Sequence, residues 1–271
     1  MLYIFFKTFI LKSLTNLDNI LVLTITLLLA CFIGFIDDIL GWKRGLKGWH
    51  KILMTLPIAI PLMVVNAGQD IMSIPFLGPI SFGIIYPLII IPLAIVGATN
   101  GYNLLAGYNG LEAGLGAVIF TTLGVISLAI GQLWLALIAG IIVIALLAFL
   151  LFNKIPAKIF PGDSLTYSLG ALIACFAIFG SMEKAALILF IPFILEGVLK
   201  ARSKFKAENF GKPNKDNSLE SPYKKVYSLT HIALKTLKKI KPSHKVYEKD
   251  IVLTFYLIEI ILAIIVIIYI L

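Results

Sequence analysis

Residues 99–114 read TNGYNLLAGYNGLEAG, and this polar stretch lies between two long apolar runs. It contains three asparagines, four glycines and one carboxylate. Hydrocarbon offers no partner for a side-chain amide, so polar groups crowded beside apolar runs usually face a water-filled site. The stretch therefore predicts a membrane protein and marks where its polar chemistry lies.

The composition around this stretch is that of an integral membrane protein. The chain of 271 residues is 60% hydrophobic and 14% charged, with a mean hydropathy of +1.01, whereas soluble domains carry about 25% charged residues. A membrane-spanning helix needs about 20 apolar residues. We predict an all-α polytopic fold with about eight spans, of which the second contains two prolines and is expected to be tilted or broken. The predicted spans are 20–36, 52–66, 83–99, 114–131, 133–152, 166–181, 184–200 and 252–271.

Most of the 23 lysines and arginines fall on one side of this predicted topology. The basic segments are 37–51, 152–165 and 200–250. The positive-inside rule assigns their side to the cytoplasm, together with residues 99–113. We therefore expect a multi-pass protein of the cell membrane with its active site on the cytoplasmic face. Residues 201–250 are predicted to be a basic cytoplasmic segment, with an amphipathic helix over 224–240 on the membrane surface.

Two adjacent acids, Asp37 and Asp38, close the first predicted span. Neighbouring residues of a helix point about 100° apart, so these two acids should have different roles. One would approach phosphates or act on a nucleophile, and the other would be held by a nearby cation such as Lys51. The alternative is that the pair only marks where the helix meets water.

The opening stretch combines amides and glycines in a way that suits ligand binding. Asn100 and Asn103 are three residues apart and share a helical face, so their amide oxygens could help to ligate a hard cation. Gly107 and Gly110 remove side chains where the backbone must approach a ligand. Asn109 offers a donor and an acceptor together, which suits the edge of a nucleobase. The alternative is a polar interface between helices.

Residues 160–164 read FPGDS and precede another apolar run. Asp163 is a candidate Mg²⁺ ligand, because Mg²⁺ is usually held by one or two carboxylates together with water and phosphate oxygens. Phe160 would provide an aromatic face on which a base could stack. The alternative is that Asp163 only caps the following helix.

Together these motifs resemble the polyprenyl-phosphate N-acetylhexosamine-1-phosphate transferase superfamily. The likeness is carried by residues 100–114, the aspartate pair, His50-Lys51 and residues 160–164. It runs from about Gly34 to the last span. Bacterial members carry Asp where this chain has Ala106 and Asn109, so the pattern is more similar to the enzyme that starts the dolichol-linked oligosaccharide.

The resemblance implies a Mg-dependent glycosyl-1-phosphate transferase that performs the first step of lipid-linked glycan synthesis. A polyprenyl phosphate would attack the β-phosphate of a UDP-N-acetylhexosamine, with N-acetylglucosamine as the expected sugar, and UMP would leave. Asp37, Asp38 and Lys51 would be catalytic. Asp163 and Asn103 would ligate Mg²⁺, or Mn²⁺ in its place.

The resemblance also implies substrate-binding residues and partners. Phe160 would stack on the uracil, Gly107 with Asn109 would recognise the uridine, and Asn100 and Glu112 would complete this substrate-binding set. The expected partners are the nucleotide sugar, the polyprenyl phosphate lipid and the membrane, with no nucleic acid. Whether the protein forms a homodimer stays open.

The chain departs from the family where the pyrophosphate is bound. Eukaryotic relatives use an Arg-His-Arg cluster after the span that corresponds to 184–200, and bacterial relatives use a histidine cluster. This chain has KARSKFK at residues 200–206 instead. Because guanidinium binds phosphate bidentately, we predict that Arg202, with Lys204, does this work. The alternative is a generic basic cluster at the membrane edge.

A second departure concerns the N-terminal side. Family members usually have about ten spans with the aspartate pair after the third, whereas the pair here follows the first. We therefore expect that the family's N-terminal helices are absent and that the chain begins at an internal methionine or is shortened. The predicted domain is a single membrane-embedded transferase over 1–271 that includes 201–250. Two other functions stay open, an inactive truncated relative and, less favoured, a membrane transporter.

Overall fold

The fold was determined as a computed structural model that describes residues 2–44, 48–69, 71–74 and 78–270. The α-helices are α1 (Leu2–Phe5), α2 (Leu17–Arg44), α3 (Gly48–Thr55), α4 (Ile60–Val64), α5 (Ile91–Leu104), α6 (Leu111–Ala129), α7 (Leu133–Asn153), α8 (Gly162–Gly180), α9 (Glu183–Leu189), α10 (Ile191–Ala201), α11 (Leu229–Ile240) and α12 (Glu248–Ile270). Phe6–Ile10 and Tyr86–Ile90 are π-helical, and Leu56–Ala59 is a 3₁₀ helix. The antiparallel strand pairs are β1 (Ile71–Ile74) with β2 (Gly78–Ser81), and β3 (Lys212–Pro213) with β4 (Leu219–Glu220).

Among the described residues, six helices are long and apolar enough to cross a membrane. They are Leu17–Leu40, Tyr86–Leu104, Leu111–Ala129, Leu133–Asn153, Gly162–Gly180 and Glu248–Ile270. Each coincides with a predicted span, because the length of an apolar run is what selects a spanning helix. The predicted all-α polytopic membrane fold is confirmed.

The other two predicted spans are divided into shorter helices. Span 52–66 runs through α3, the 3₁₀ helix and α4, with Pro57 and Pro61 at the starts of the last two pieces. Span 184–200 is interrupted at Phe190, between α9 and α10. Proline lacks the N–H group that a continuous helix needs, so the break predicted from the two prolines is found.

The first spanning helix extends further than predicted. Helix α2 continues to Arg44, so Asp37 and Asp38 lie inside it and do not mark its end. The prediction that the pair closes the first span is wrong, because the apolar span continues to Leu40 and the helix to Arg44. Of the basic segment 37–51, residues 37–44 belong to α2 and residues 48–51 belong to α3.

The chain forms two compact units. Unit 1 comprises residues 1–100 and 162–186, and unit 2 comprises residues 101–161 and 187–271. Helices α2 and α8 pack along each other in unit 1, and α6 packs against α7 and α12 in unit 2. That residues 1–271 make one transferase domain stays a prediction.

Close packing of α2 on α8 positions the polar residues of unit 1. Gly34 has no side chain, and a Cβ there would collide with the backbone of Asp163. The first turn of α8 therefore approaches α2 one turn before Asp37 and Asp38. Any larger residue at position 34 would push these acids away from Asp163.

The basic segment 201–250 carries one helix that differs from its prediction. Helix α11 begins at Leu229 and not at 224, because the Ser228 side chain accepts a hydrogen bond from the Thr230 backbone N–H (3.2 Å) and so caps the helix there. The helix buries Thr230, His231, Ala233 and Leu234. Helix α11 therefore packs against the rest of unit 2 through this face. Its contact with a membrane surface stays a prediction.

Candidate functional site

Three helices of unit 1 bring together a carboxylate cluster, defined as Asp37, Asp38, Lys51 and Asp163. Lys51 Nζ lies 2.7 Å from Asp37 Oδ2 and 3.0 Å from Asp163 Oδ2. Tyr167, one turn after Asp163 on α8, donates its hydroxyl to Asp37 Oδ2 at 2.8 Å. Residues that are far apart in the sequence thus meet around one ammonium group.

Asp38 has a different set of partners. Its carboxylate accepts hydrogen bonds from the Asp163 N–H (2.7 Å), the Ser164 N–H (3.1 Å) and the Ser164 hydroxyl (2.8 Å). Asp38 therefore caps the first turn of α8. The adjacent acids therefore have different partners, as their positions on one helix predict, and their roles in catalysis stay predictions. Lys51 holds Asp37, and Asp38 positions Asp163.

The charge of Lys51 is stabilised inside this cluster. Asp37 is only 2% exposed and the Lys51 side chain is 31% exposed. Burial by itself would lower the pKa of Lys51, but the charges and hydrogen bonds of Asp163 and Asp37 outweigh burial and raise this pKa above its usual value. The ammonium therefore stays charged at neutral pH. With Asp38, the cluster contains three carboxyl groups and one ammonium.

Asn100 fixes the helix that carries Lys51. Its side-chain Nδ2 donates to Thr55 Oγ1 (2.8 Å) and to the Val96 carbonyl (2.9 Å). Thr55 lies one turn after Lys51 on α3, so the contact orients that helix. The predicted role of Asn100 in substrate binding stays a prediction and would use its Oδ1.

The carboxylate oxygens of the cluster are of the kind that Mg²⁺ binds, and a magnesium site here stays a prediction. Asp163 and Asp37 supply hard carboxylate oxygens, and Mg²⁺ usually takes one or two carboxylates and completes its shell with water and phosphate. In the part of the chain that the structure describes, no group of three or more His, Cys, Asp or Glu residues could hold a metal by itself. Asn103, the other predicted ligand, lies in the last turn of α5 and belongs to unit 2. Its pairing with Asp163 stays a prediction.

In unit 2, side chains hold the backbone of residues 105–110, which we name the asparagine loop. The Gly107 N–H donates to Glu112 Oε1 (2.5 Å). The Gly110 N–H donates to Asn153 Oδ1 (3.0 Å), and the Tyr256 hydroxyl donates to the Gly110 carbonyl (2.5 Å). Buried backbone groups need such partners, and these bonds give the loop one conformation.

Two predicted substrate-binding residues turn out to shape this loop. Glu112 is 2% exposed and supports the loop through Gly107, so its direct contact with a substrate stays a prediction. Gly107 has a φ of +120°, and the Phe210 ring occupies the space that a Cβ would need. The loop's own conformation therefore requires glycine at position 107, besides any need of a ligand.

Asn153 connects the asparagine loop to the segment that carries Phe160. Its side chain is fully buried, with Oδ1 accepting from the Gly110 N–H and Nδ2 donating to the Ile159 carbonyl (2.9 Å). Phe160 follows Ile159 directly and is 55% exposed. One buried amide thus holds the neighbours of both Asn109 and Phe160, the residues predicted to read and to stack on the base.

Arg202 and Lys204 lie at the end of α10, and both are exposed. Lys200, in the same basic run, is instead buried and donates from Nζ to the Ala207 carbonyl (2.8 Å). The run therefore contains one structural lysine and exposed basic side chains around it. Pyrophosphate binding by Arg202 and Lys204 stays a prediction.

Several residues that support the site were missed from the sequence. Tyr167 and Thr55 had a signal, since each follows a predicted site residue by four positions and so shares its helical face. Asn153 showed only as a polar residue at the end of an apolar run. Glu248, which contacts Asn109 from 139 positions away, had no local signal.

Comparison with known proteins finds relatives of similar sequence. The chain is 44% identical over 210 residues to the putative UDP-N-acetylglucosamine–dolichyl-phosphate N-acetylglucosaminephosphotransferase of Saccharolobus solfataricus, covering 77% of this chain and 64% of the relative. It is 36% identical over 268 residues to the protein of the same name in Sulfolobus acidocaldarius, covering 97% of this chain and 78% of the relative. A probable undecaprenyl-phosphate N-acetylglucosaminyl 1-phosphate transferase of Bacillus subtilis is 33% identical over 179 residues, or 65% of this chain and 48% of the relative.

This chain therefore spans a little under two thirds of the Saccharolobus relative and about half of the Bacillus relative. Residues 20–181 match the model of the family described as glycosyl transferase family 4. These residues include the whole carboxylate cluster and the asparagine loop. The resemblance drawn from those motifs is confirmed, and the chain belongs to glycosyl transferase family 4.

Proposed function

We propose that this protein transfers N-acetylglucosamine 1-phosphate from UDP-N-acetylglucosamine to a polyprenyl phosphate of the dolichyl type. The observation that carries the proposal is the bridge that Lys51 makes between Asp37 and Asp163 in a chain of this family. The names of the two archaeal relatives supply the substrates. The products would be polyprenyl-diphospho-N-acetylglucosamine and UMP.

The cluster suits this reaction because phosphoryl transfer depends on positioning and charge neutralisation more than on covalent catalysis. An oxygen of the polyprenyl phosphate bonds to the β-phosphorus, and the bond from that phosphorus to the oxygen of UMP breaks. Lys51 offsets negative charge on the reacting phosphates, while Asp38 keeps the first turn of α8, and with it Asp163, in place. Asp163 and Asn103 would hold Mg²⁺, which when bound neutralises charge on the diphosphate.

An apolar groove in unit 1 supports a lipid acceptor. It has a volume of about 330 Å³ and begins at the residue that follows Lys51. Its lining side chains include Ile52, Leu53, Leu56, Leu88, Ile89 and Leu93. A prenyl chain in this groove would bury apolar surface that is otherwise exposed and would bring its phosphate towards Lys51.

The proposal includes the membrane side of the reaction. Basic residues gather in the segments that contain or flank the polar motifs, and this charge supports a site on the cytoplasmic face of the cell membrane. The same charge would attract the anionic nucleotide sugar and anionic lipid. A homodimer stays open.

The test uses the full chain purified in detergent or lipid, with Mg²⁺, labelled UDP-N-acetylglucosamine and a polyprenyl phosphate. We expect lipid-linked label and UMP in equal amounts. EDTA should stop the reaction, and Mg²⁺ or Mn²⁺ should restore it. A panel of UDP-sugars identifies the preferred sugar.

Other outcomes would contradict the proposal in different ways. Binding of the nucleotide sugar without turnover favours an inactive relative. Movement of label across a vesicle membrane without release of UMP favours a transporter. Turnover that is unchanged in EDTA would exclude the proposed metal dependence.

A further inference from the structure

The first turn of α12 holds Asn109 through Glu248. The Asn109 backbone N–H donates to Glu248 Oε1 at 2.6 Å, and the Asn109 side-chain Nδ2 donates to Glu248 Oε2 at 3.3 Å. One carboxylate therefore binds the main chain and the side chain of the same residue. Such charge-assisted pairs are stronger than bonds between neutral groups.

A carboxylate partner fixes which way the Asn109 amide points. An ionised carboxylate can only accept hydrogen bonds, so the amide must present Nδ2 to Glu248. The flipped amide would set Oδ1 against a negatively charged oxygen. Glu248 thus leaves Oδ1 as the acceptor that Asn109 can offer to a ligand. A glutamine at position 248 could donate as well as accept and would not impose this orientation.

The backbone on both sides of Asn109 is held as well. Asn153 and Tyr256 bind the N–H and carbonyl of Gly110. Before Asn109, the Asn209 side chain donates to the carbonyls of Leu104 (2.6 Å) and Ala106 (3.2 Å). The backbone is thus held on both sides of Asn109, and Glu248 also binds the Asn109 side-chain amide.

We propose that Glu248 is a positioning residue that sets the nucleobase selectivity of this transferase. By leaving Asn109 Oδ1 as an acceptor, it makes the site favour a base edge with a ring N–H, as in uracil, over an edge with a bare ring nitrogen, as in cytosine. The inference rests on the proposed function, in which Asn109 meets the base. Glu248 acts through Asn109 and touches no substrate itself.

The test compares UMP and CMP as ligands of the full-length protein, by calorimetry in detergent with EDTA present. Glu248→Gln should weaken UMP binding about tenfold, as expected when a charge-assisted hydrogen bond is lost, and should leave CMP binding unchanged or stronger. The ratio of UMP to CMP affinity therefore falls, while kcat at saturating nucleotide sugar stays near the wild-type value. The matched control is Glu220→Gln, which removes the same charge from an exposed pair with Lys238 (3.0 Å) and should change neither affinity.

A second variant tests whether Glu248 acts through Asn109. Asn109→Ala should lower the same affinity ratio, and adding Glu248→Gln to it should have no further effect. An equal loss of UMP and CMP affinity in Glu248→Gln would show that Glu248 only stabilises the loop, and this result overturns the proposal. An unchanged ratio in Asn109→Ala overturns it too, even if Glu248→Gln does not fold.

The proposed reaction and the proposed role of Glu248 can fail independently, because nucleotide binding and transfer of the sugar phosphate are measured in separate experiments. If the wild type transfers the sugar phosphate and Glu248→Gln keeps the wild-type affinity ratio, only the role of Glu248 is wrong. If the affinity ratio depends on Glu248 but no transfer occurs, the proposed reaction is wrong and base selection by Glu248 stands.

Discussion

The carboxylate cluster of unit 1 and the asparagine loop of unit 2 are built in opposite ways. In the cluster, charged side chains hold one another, as Lys51 does with Asp37 and Asp163. In the loop, side chains such as Asn153 and Glu248 hold the backbone. Charged residues beside apolar runs are therefore visible in the sequence, whereas the residues that shape a backbone loop are not.

Chemistry explains the contrast. Phosphoryl transfer requires charge, and a carboxylate beside an apolar run is costly enough to be conspicuous. Recognition of a base requires a fixed shape, which glycines and a few well-placed hydrogen bonds can supply. The following substitutions test this contrast between the cluster and the loop. They are ordered from the largest to the smallest expected effect on activity.

The largest effect is expected from Asp163→Asn. This change keeps the side chain's shape but removes a charge from the carboxylate cluster, so transfer should fall about 10³-fold, the scale seen when one preorganised charge-stabilising group is lost. UMP affinity in EDTA should stay at the wild-type level, because the proposal assigns recognition of the base to the asparagine loop. UMP release and calorimetry measure the two effects, and a transfer rate within tenfold of wild type would contradict the assignment.

A smaller effect is expected from Arg202→Ala. Loss of the bidentate guanidinium should raise the KM for the nucleotide sugar or lower kcat by about tenfold or more. Arg202→Lys keeps the charge but loses the paired geometry, and its kinetics should be intermediate. Lys212→Ala removes a surface charge elsewhere in the same segment and serves as the control. Near-normal kinetics in Arg202→Ala would refute the predicted role and would leave a generic basic cluster.

The smallest effect on activity, with a measurable effect on stability, is expected from Asn153→Ala. The Gly110 N–H and the Ile159 carbonyl would lose their shared partner, which should lower the free energy of unfolding by about 2 kcal/mol. UMP affinity should fall severalfold, because the neighbours of both Asn109 and Phe160 would shift. Denaturant unfolding in detergent measures the stability change.

The control for that prediction is Asn214→Ala, which removes an exposed amide bonded to Ser218 (3.1 Å). A surface change of this kind should alter stability by less than about 0.5 kcal/mol. If Asn153→Ala behaves like Asn214→Ala, the loop is held by its remaining bonds and Asn153 does not support it.

Much of this molecule follows from the sequence alone. Six of the eight predicted spans match helices of the described residues that are long and apolar enough to cross a membrane, because the length and hydropathy of an apolar run are local properties. The interruption of span 52–66 follows from Pro57 and Pro61, and the different partners of Asp37 and Asp38 follow from helical geometry. The family is predicted because motifs such as residues 99–114 are themselves short sequences.

Only the tertiary structure decided which groups are partners. The sequence left open which acid pairs with Lys51, and packing of α2 on α8 assigned Asp37 to Lys51 and Asp38 to the start of α8. It gave no sign of Glu248, whose partner lies 139 positions away. Helical spacing relates residues within a few turns, but a hydrogen bond between distant segments depends on how whole helices pack, and that is a property of the folded chain.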